Sequence, residues 1–401
     1  MMPERQIRLL ADRMVQWQGP YGRPDPTKCP FIYTGTLVNS MNFHSPTFMA
    51  IGLYKASDAT GSPAYKEAAD RYITAYLASL RNPVTQADHY TKEWIKTLEE
   101  RDGPLTVELR RWATNILQWP FIYGMALAGY RYFREYNPEE LAFESKAAAV
   151  YDWLNFWRWN EGSYYRNGYG SLQYGILDAG NSDDNCHMGR GLVGYHAASG
   201  REDVLADAEG LARYYLTEAE RGTYKGCWLS KTGTWVIAPT INDNFEHLVG
   251  TQSDEASWGF SSIGAIEYLT ELARFTRNAA LRSEIASKCA SSMRWQFDAC
   301  QFDDGAVGMT GQDDKWLGMA AGAMLSYIWT RDAGFLSDAD AAAYGARARA
   351  ACEWMIAHVT PEQIDAGGYI KVTGRTEPRP PDNLAWLFAT TLRGLCMADR
   401  L

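Results

Sequence analysis

Cysteine is scarce and unpatterned in this chain. Seven residues (Cys29, Cys186, Cys227, Cys289, Cys300, Cys352 and Cys396) are scattered over 401 positions, an odd number with no C-x-x-C pair. That argues against a disulfide framework or a zinc knuckle as the basis of the fold. Runs of positive charge are missing too. The net charge is −9 and no Lys/Arg-rich stretch occurs, which speaks against nucleic-acid binding, because such binding rests on phosphate neutralisation. No apolar stretch is long enough to span a bilayer, and the opening residues Met-Met-Pro-Glu-Arg-Gln-Ile-Arg carry no apolar leader segment. The sequence as it stands therefore predicts no membrane partner and a cytoplasmic location. A chain trimmed of a signal peptide would read the same way. Also absent are a G-x-G-x-x-G after a strand, a Walker loop, H-E-x-x-H, G-x-S-x-G and the spacing of a calcium loop. No cofactor and no metal site are expected.

Aromatic residues, by contrast, are abundant: 13% of the chain, with 15 Trp and 24 Tyr. Many fall in segments that otherwise look like loops, such as Trp153–Tyr174. Aromatic faces stack on the apolar faces of sugars, which suits a carbohydrate cleft, although large helical cores use the same residues.

The helical pattern alternates. Mostly apolar helices are predicted from Pro46 and from near Trp112, Asp184, Glu255, Asp314 and Asn383. Amphipathic partners are predicted over Ile7–Trp17, Ala64–Leu80, Glu140–Trp157, Glu202–Leu216, Ala279–Trp295 and Ala339–His358. Short turns lead from apolar helix to partner, and long connections lead back. The period is about 65 to 70 residues and holds two helices, which is repeat logic on a large scale. Helices apolar all round must be buried and one-faced helices must cover them, so a closed ring satisfies both sets. The expected fold is all-α, an (α/α)6 toroid spanning 1–401 as one domain. An open solenoid, or a seventh pair hidden in Asn82–Pro104, is the structural alternative.

The long connections carry hairpin turn signals at Arg166-Asn167-Gly168-Tyr169, Lys231-Thr232-Gly233-Thr234, Asp303-Asp304-Gly305 and Val372-Thr373-Gly374. All precede an apolar helix, so they would decorate a single rim, where function is expected to live. The residues at those helix starts are strongly polar. Asn42 and His44 mark the first, Asp88, His89 and Arg111 the second. Gly180-Asn-Ser-Asp183-Asp184-Asn185-Cys-His187 marks the third. Asn244, Glu246, His247, Asp254, Glu255 and Trp258 mark the fourth, Asp313, Asp314, Lys315 and Trp316 the fifth, and Arg375, Arg379, Asp382, Asn383 and Trp386 the sixth. Helix capping explains Asp, Asn and Ser there, but not histidine or tryptophan. Four of the six histidines lie in these positions.

Two chemistries fit such a rim. Glycoside hydrolysis needs two carboxyls, a protonated acid at the leaving oxygen and a base or nucleophile opposite. Asp183 and Asp184 are consecutive and cannot both be ordinary caps; one of them can pair with Asp254, Glu255, Asp313 or Asp314. Uronide elimination needs an amide or cation on the carboxylate, a base at the α-proton and an acid for the departing oxygen. Asn185 with His187 or His247, an arginine and a loop tyrosine (Tyr164, Tyr165 or Tyr169) would serve. Asn42, His44, Asn185, Glu255, Trp258, Asp313, Trp316, Tyr165, Tyr169 and Trp386 are the expected substrate contacts.

Asp183-Asp184 followed by an apolar helix, Ala197-Ala-Ser-Gly200 and Val204-Leu-Ala-Asp-Ala-Glu-Gly-Leu211 resembles a hairpin of the bacterial endo-α-mannanase type. More broadly, the chain resembles the six-hairpin glycosidase superfamily over most of its length, at the level of architecture. The mannanase resemblance implies that the adjacent aspartates are catalytic. The sequence departs from that pattern at Asn185-Cys186-His187-Met188, where that family usually has tryptophans. Toroidal polysaccharide lyases and unsaturated-uronide hydrolases share the architecture. The leading expectation is a glycoside hydrolase acting on an oligo- or polysaccharide. The alternatives are a polysaccharide lyase, a sugar isomerase or epimerase, and a non-catalytic sugar-binding toroid; a homo-oligomer is compatible with each.

Overall fold

Each apolar stretch of the pattern contains a helix, and all but the last are followed by an amphipathic one. The computed structural model describes residues 3–19, 22, 24–25, 28–29, 45–80, 82, 120–154, 182–218, 226–235, 259–309, 311–312, 314–372 and 385–401, with backbone alone at 120–121, 182–184 and 259–261. In chain order the elements are α1 (Glu4–Gln16), α2 (Ser45–Thr60), α3 (Pro63–Ser79), α4 (Pro120–Tyr136), α5 (Glu144–Leu154), α6 (Ser182–Ser199) and α7 (Glu202–Leu216). There follow β1 (Trp228–Leu229), β2 (Thr234–Trp235), α8 (Gly259–Phe275), α9 (Ala279–Cys300), β3 (Asp314–Trp316), α10 (Leu317–Asp332), α11 (Asp338–His358), α12 (Pro361–Asp365), β4 (Tyr369–Lys371) and α13 (Ala385–Cys396).

Helices α2, α4, α6, α8, α10 and α13 pack each on the next, and α13 returns to α2. The ring is closed. Helices α3, α5, α7, α9 and α11 each lie against the inner helix that precedes them, while α1 covers the seam between α13 and α2. This is the (α/α)6 toroid. Burial follows the expected division of labour. In α10 every residue from Leu317 to Ile328 is buried, as a helix with neighbours on all sides must be. In α11 only a stripe is buried, including Ala348, Ala351, Cys352 and Met355. Two outer helices are capped by side chains: Asn278 accepts from Leu281 N at 3.0 Å and Ser337 from Asp340 N at 3.1 Å.

Inner helices approach closely because glycine lines their contacts. A Cβ on Gly191 of α6 would lie 2.2 Å from the Gly124 carbonyl oxygen of α4, and one on Gly189 would lie 2.6 Å from the Tyr268 ring of α8. Gly189-Arg-Gly-Leu-Val-Gly194 has the spacing of a dinucleotide fingerprint, yet it is the middle of a helix and its glycines serve packing.

Two expectations shift. Asp314 does not open a helix: Asp314–Trp316 is a strand paired antiparallel with Tyr369–Lys371, and the helix begins at Leu317. The Asp314 carboxylate accepts Val372 N at 3.2 Å, which holds that pairing. The outer helix expected from Glu140 starts at Glu144, because residues 137–143 after α4 form turns around Pro138. The expected hairpin at Lys231–Thr234 forms, with Gly233 at φ 72° between β1 and β2. Gly305 turns at φ 91°, supplying the left-handed residue at Asp303-Asp304-Gly305. Arg166–Tyr169 and the stretch 83–119 lie outside the described residues.

Candidate functional site

Helices α2, α4, α6, α8 and α10 each hand over to an outer partner through a short turn, and α13 is reached from α11 by a long return as the others are, so the six inner helices start at the same mouth. The long returns arrive there. Helix α6 begins with Ser182, which places Asp183 and Asp184 inside its first turn, where backbone N–H groups lack intrahelical acceptors and favour negative charge. Asn185 follows, fully buried, and His187 is 7% exposed.

Three inner helices bring side chains together just inside this mouth. The His187 ring meets Phe48 of α2 edge-on at 5.7 Å, and Phe48 meets Trp386 of α13 at 5.9 Å. Phe48 and Trp386 are half-buried. Arg190, one turn below His187, lies 4.7 Å over the Phe48 ring and donates Nη1 to His187 Nδ1 at 3.4 Å. A guanidinium only donates, so Nδ1 accepts and the imidazole proton sits on Nε2. The same Arg190 forms an ion pair with Glu267 of α8 at 2.6 Å, and Glu267 also holds Arg393 of α13 at 2.6 Å. Arg393 reaches the Tyr132 hydroxyl of α4 at 3.0 Å and stacks 4.8 Å over Trp329 of α10. All six inner helices thus meet in one chain of contacts along the axis. Burial works against the Glu267 charge, but Arg190 and Arg393 outweigh it and hold the carboxyl below its ordinary range.

Of the expected site residues, Trp386 and His187 lie in this cluster, and Asn185 is buried beside it on α6. Asp183 and Asp184 stand in the first turn above it. Asp314 and Trp316 belong to a separate edge of the mouth, in the β3–β4 pair. Trp316 is 3% exposed there and stacks on Tyr369 at 4.9 Å. Asn42, His44, Tyr165, Tyr169, His247, Asp254, Glu255, Trp258 and Asp313 lie outside the described residues, as does His89. Phe48, Arg190, Glu267 and Arg393 escaped the sequence reading. For the three charged ones the signal was a charge inside an otherwise apolar helix, which is sustained only by a partner on another helix.

No protein-family model matches the sequence, and no curated protein matches it. Solved structures do match in fold. A sugar epimerase from a ruminal bacterium superposes with a TM-score of 0.64 at 10% identity, covering 100% of this chain and 99% of that one. An inactive variant of the GH76A α-1,6-mannanase of a Salegentibacter species, with two consecutive aspartates replaced by asparagine and bound to α-1,6-mannotriose, gives 0.58 at 10% identity, covering 98% and 99%. A polysaccharide lyase gives 0.53 at 12% identity, covering 96% of each chain. The chain therefore shares the six-hairpin (α/α)6 toroid fold of these structures. Among the described residues no helix is long and apolar enough to cross a membrane.

Proposed function

We propose that the chain is a carbohydrate-active enzyme built as one catalytic toroid, and that it hydrolyses glycosidic bonds at the mouth where the inner helices begin. One observation carries this reading: Asp183 and Asp184 are consecutive in the first turn of inner helix α6, and the next turn of that helix carries His187 against Phe48, which meets Trp386 to form an aromatic floor. Hydrolysis requires an acid and a base or nucleophile, and two adjacent carboxyls at a helix start supply negative charge where the helix tolerates it best. The mannanase with this fold is inactive in a variant that has lost two consecutive aspartates, which supports the same assignment here. The aromatic floor offers apolar faces to a sugar ring, and an oligosaccharide is the substrate class.

His187 helps to rank the alternatives. With Nδ1 accepting from Arg190, the proton sits on Nε2 and that nitrogen is a donor. Removing an α-proton, as elimination or epimerisation requires, would need an unprotonated Nε2. The geometry favours a binding role for His187 and leaves the acid–base work to the carboxyls.

The test is a panel of neutral and acidic oligo- and polysaccharides, followed for reducing ends and for the ultraviolet absorbance of unsaturated uronides. Hydrolysis gives reducing ends without absorbance, and Asp183→Asn or Asp184→Asn abolishes it. Absorbing products, or sugar interconversion without cleavage, would overturn the reading.

A further inference from the structure

The opposite end of the ring holds a cavity of about 520 Å³, within the range of about 300–1,000 Å³ typical of small-molecule sites. It lies among the last turns of the inner helices, away from the candidate catalytic mouth. We propose that it binds a small molecule bearing a carboxylate or phosphate group, of sugar-acid or sugar-phosphate size.

Charge is the first argument. Three carboxylates at this end are each held between two guanidiniums. Glu267 lies between Arg190 and Arg393, at 2.6 Å from each. Glu271 lies between Arg131 at 2.7 Å and Arg274 at 3.1 Å. Asp332 lies between Arg331 at 2.9 Å and Arg400. Counted over the lining residues themselves, with Glu135 and Lys55 included, six cationic side chains face four carboxylates, which leaves two positive charges in excess. This local surplus stands in a chain whose net charge is −9.

Cations at helix C-termini compensate the helix dipole, which accounts for part of the surplus. It does not account for Arg282. That residue is in the first turn of α9, where the dipole opposes a cation, and it lines the cavity with a guanidinium that makes no ion pair or hydrogen bond among the described residues. A guanidinium placed against its own helix field, unpaired and beside a cavity, fits an anion supplied from outside. Trp329 and Phe335, both half-buried, line the same cavity and present apolar surface to a sugar ring.

Titration calorimetry on the intact chain tests the site with glucuronate, glucose 6-phosphate and inorganic phosphate. Glucose is the neutral control, and sodium chloride holds ionic strength constant. Binding of at least one of the anions, with none for glucose, is expected; the pattern separates a carboxylate ligand from a phosphate one. Arg282→Ala and Arg274→Ala should each weaken binding about ten-fold or more, since a charge-assisted hydrogen bond contributes about 1.5 kcal/mol or more and about 1.4 kcal/mol is ten-fold. Both side chains are exposed, so melting temperatures without ligand should match the parent and confirm folding. Asp184→Asn should leave anion binding unchanged, which keeps this site independent of the proposed catalytic one. No heat above the chloride controls, or equal affinity in the Arg274→Ala/Arg282→Ala double variant, would overturn the proposal and reduce the guanidiniums to counter-charges for the helix ends.

Discussion

Arg190 and His187 meet one turn apart on the same inner helix, Nη1 to Nδ1 at 3.4 Å, and only the arginine can donate. A residue buried in the axis of the ring therefore sets the tautomer of a histidine near its mouth. Arg190 is itself fixed by Glu267 and by the face of Phe48, so the orientation is inherited from three helices.

The tautomer is directly measurable. Nitrogen-15 correlation spectra of the parent should place the His187 proton on Nε2. In Arg190→Gln the guanidinium donor is gone, and the Nδ1–H form should become populated. Spectra identical in parent and variant would remove Arg190 from this role.

Glu267 should be among the least replaceable residues of the axis. Glu267→Leu leaves Arg190 and Arg393 buried without their shared counter-ion. Breaking a buried pair in this way costs about 3–5 kcal/mol. Urea denaturation should show that loss. Because the residues act as one network, Glu267→Leu/Arg393→Met should cost less than the two single changes together. Strict additivity would mean that the pair is not coupled.

The same group gives a pH dependence with a definite sign. The folded Glu267 carboxyl lies below its ordinary value of 4.5, so the unfolded chain binds more protons in the interval between the two values. Stability contributed by Glu267 is complete above about pH 4.5 and is lost as the pH falls through the lower, folded value. Denaturation midpoints measured from neutral pH down to acid should fall more steeply for the parent than for Glu267→Gln, which has no proton to gain. Parallel curves would contradict the assignment.

The closeness of α4 and α6 depends on Gly191, whose added Cβ would sit 2.2 Å from a backbone oxygen. Backbone cannot step aside as a side chain can, so Gly191→Ala should cost about 1–3 kcal/mol or more. Gly61 faces open space at φ 68°; Gly61→Ala should show the cost of backbone strain alone. A melting temperature lower for Gly191→Ala than for Gly61→Ala is the expected order.

The ring was legible in the sequence because the two kinds of helix bury themselves differently. Leu317–Ile328 has no polar face, and a segment of that kind must have neighbours all round; the stripe of α11 needs only one. The axial network was not legible. Arg190, Glu267 and Arg393 are far apart in the chain, and nothing local states which buried charge meets which. Asp314 misled because an acid before an apolar run reads as a cap, whereas its carboxylate holds a strand 58 residues later. Pairings across the ring are fixed by closure, and closure is a property of the whole chain.

The adjacent acids carry the remaining prediction. If Asp183 and Asp184 share the acid–base work, each asparagine variant should keep the fold, because an amide remains a good partner for free N–H groups at a helix start. Turnover should fall by about 10²–10⁴-fold for the residue that moves the proton. The two variants should also differ in kind. Loss of the acid spares substrates with leaving groups that need no protonation, such as nitrophenyl glycosides, whereas loss of a nucleophile or base does not. Comparing both variants on an oligosaccharide and on its nitrophenyl analogue would assign the roles. Equal, modest losses on both substrates, with Tm lowered in step, would instead make the pair a helix cap and move the chemistry elsewhere on the rim.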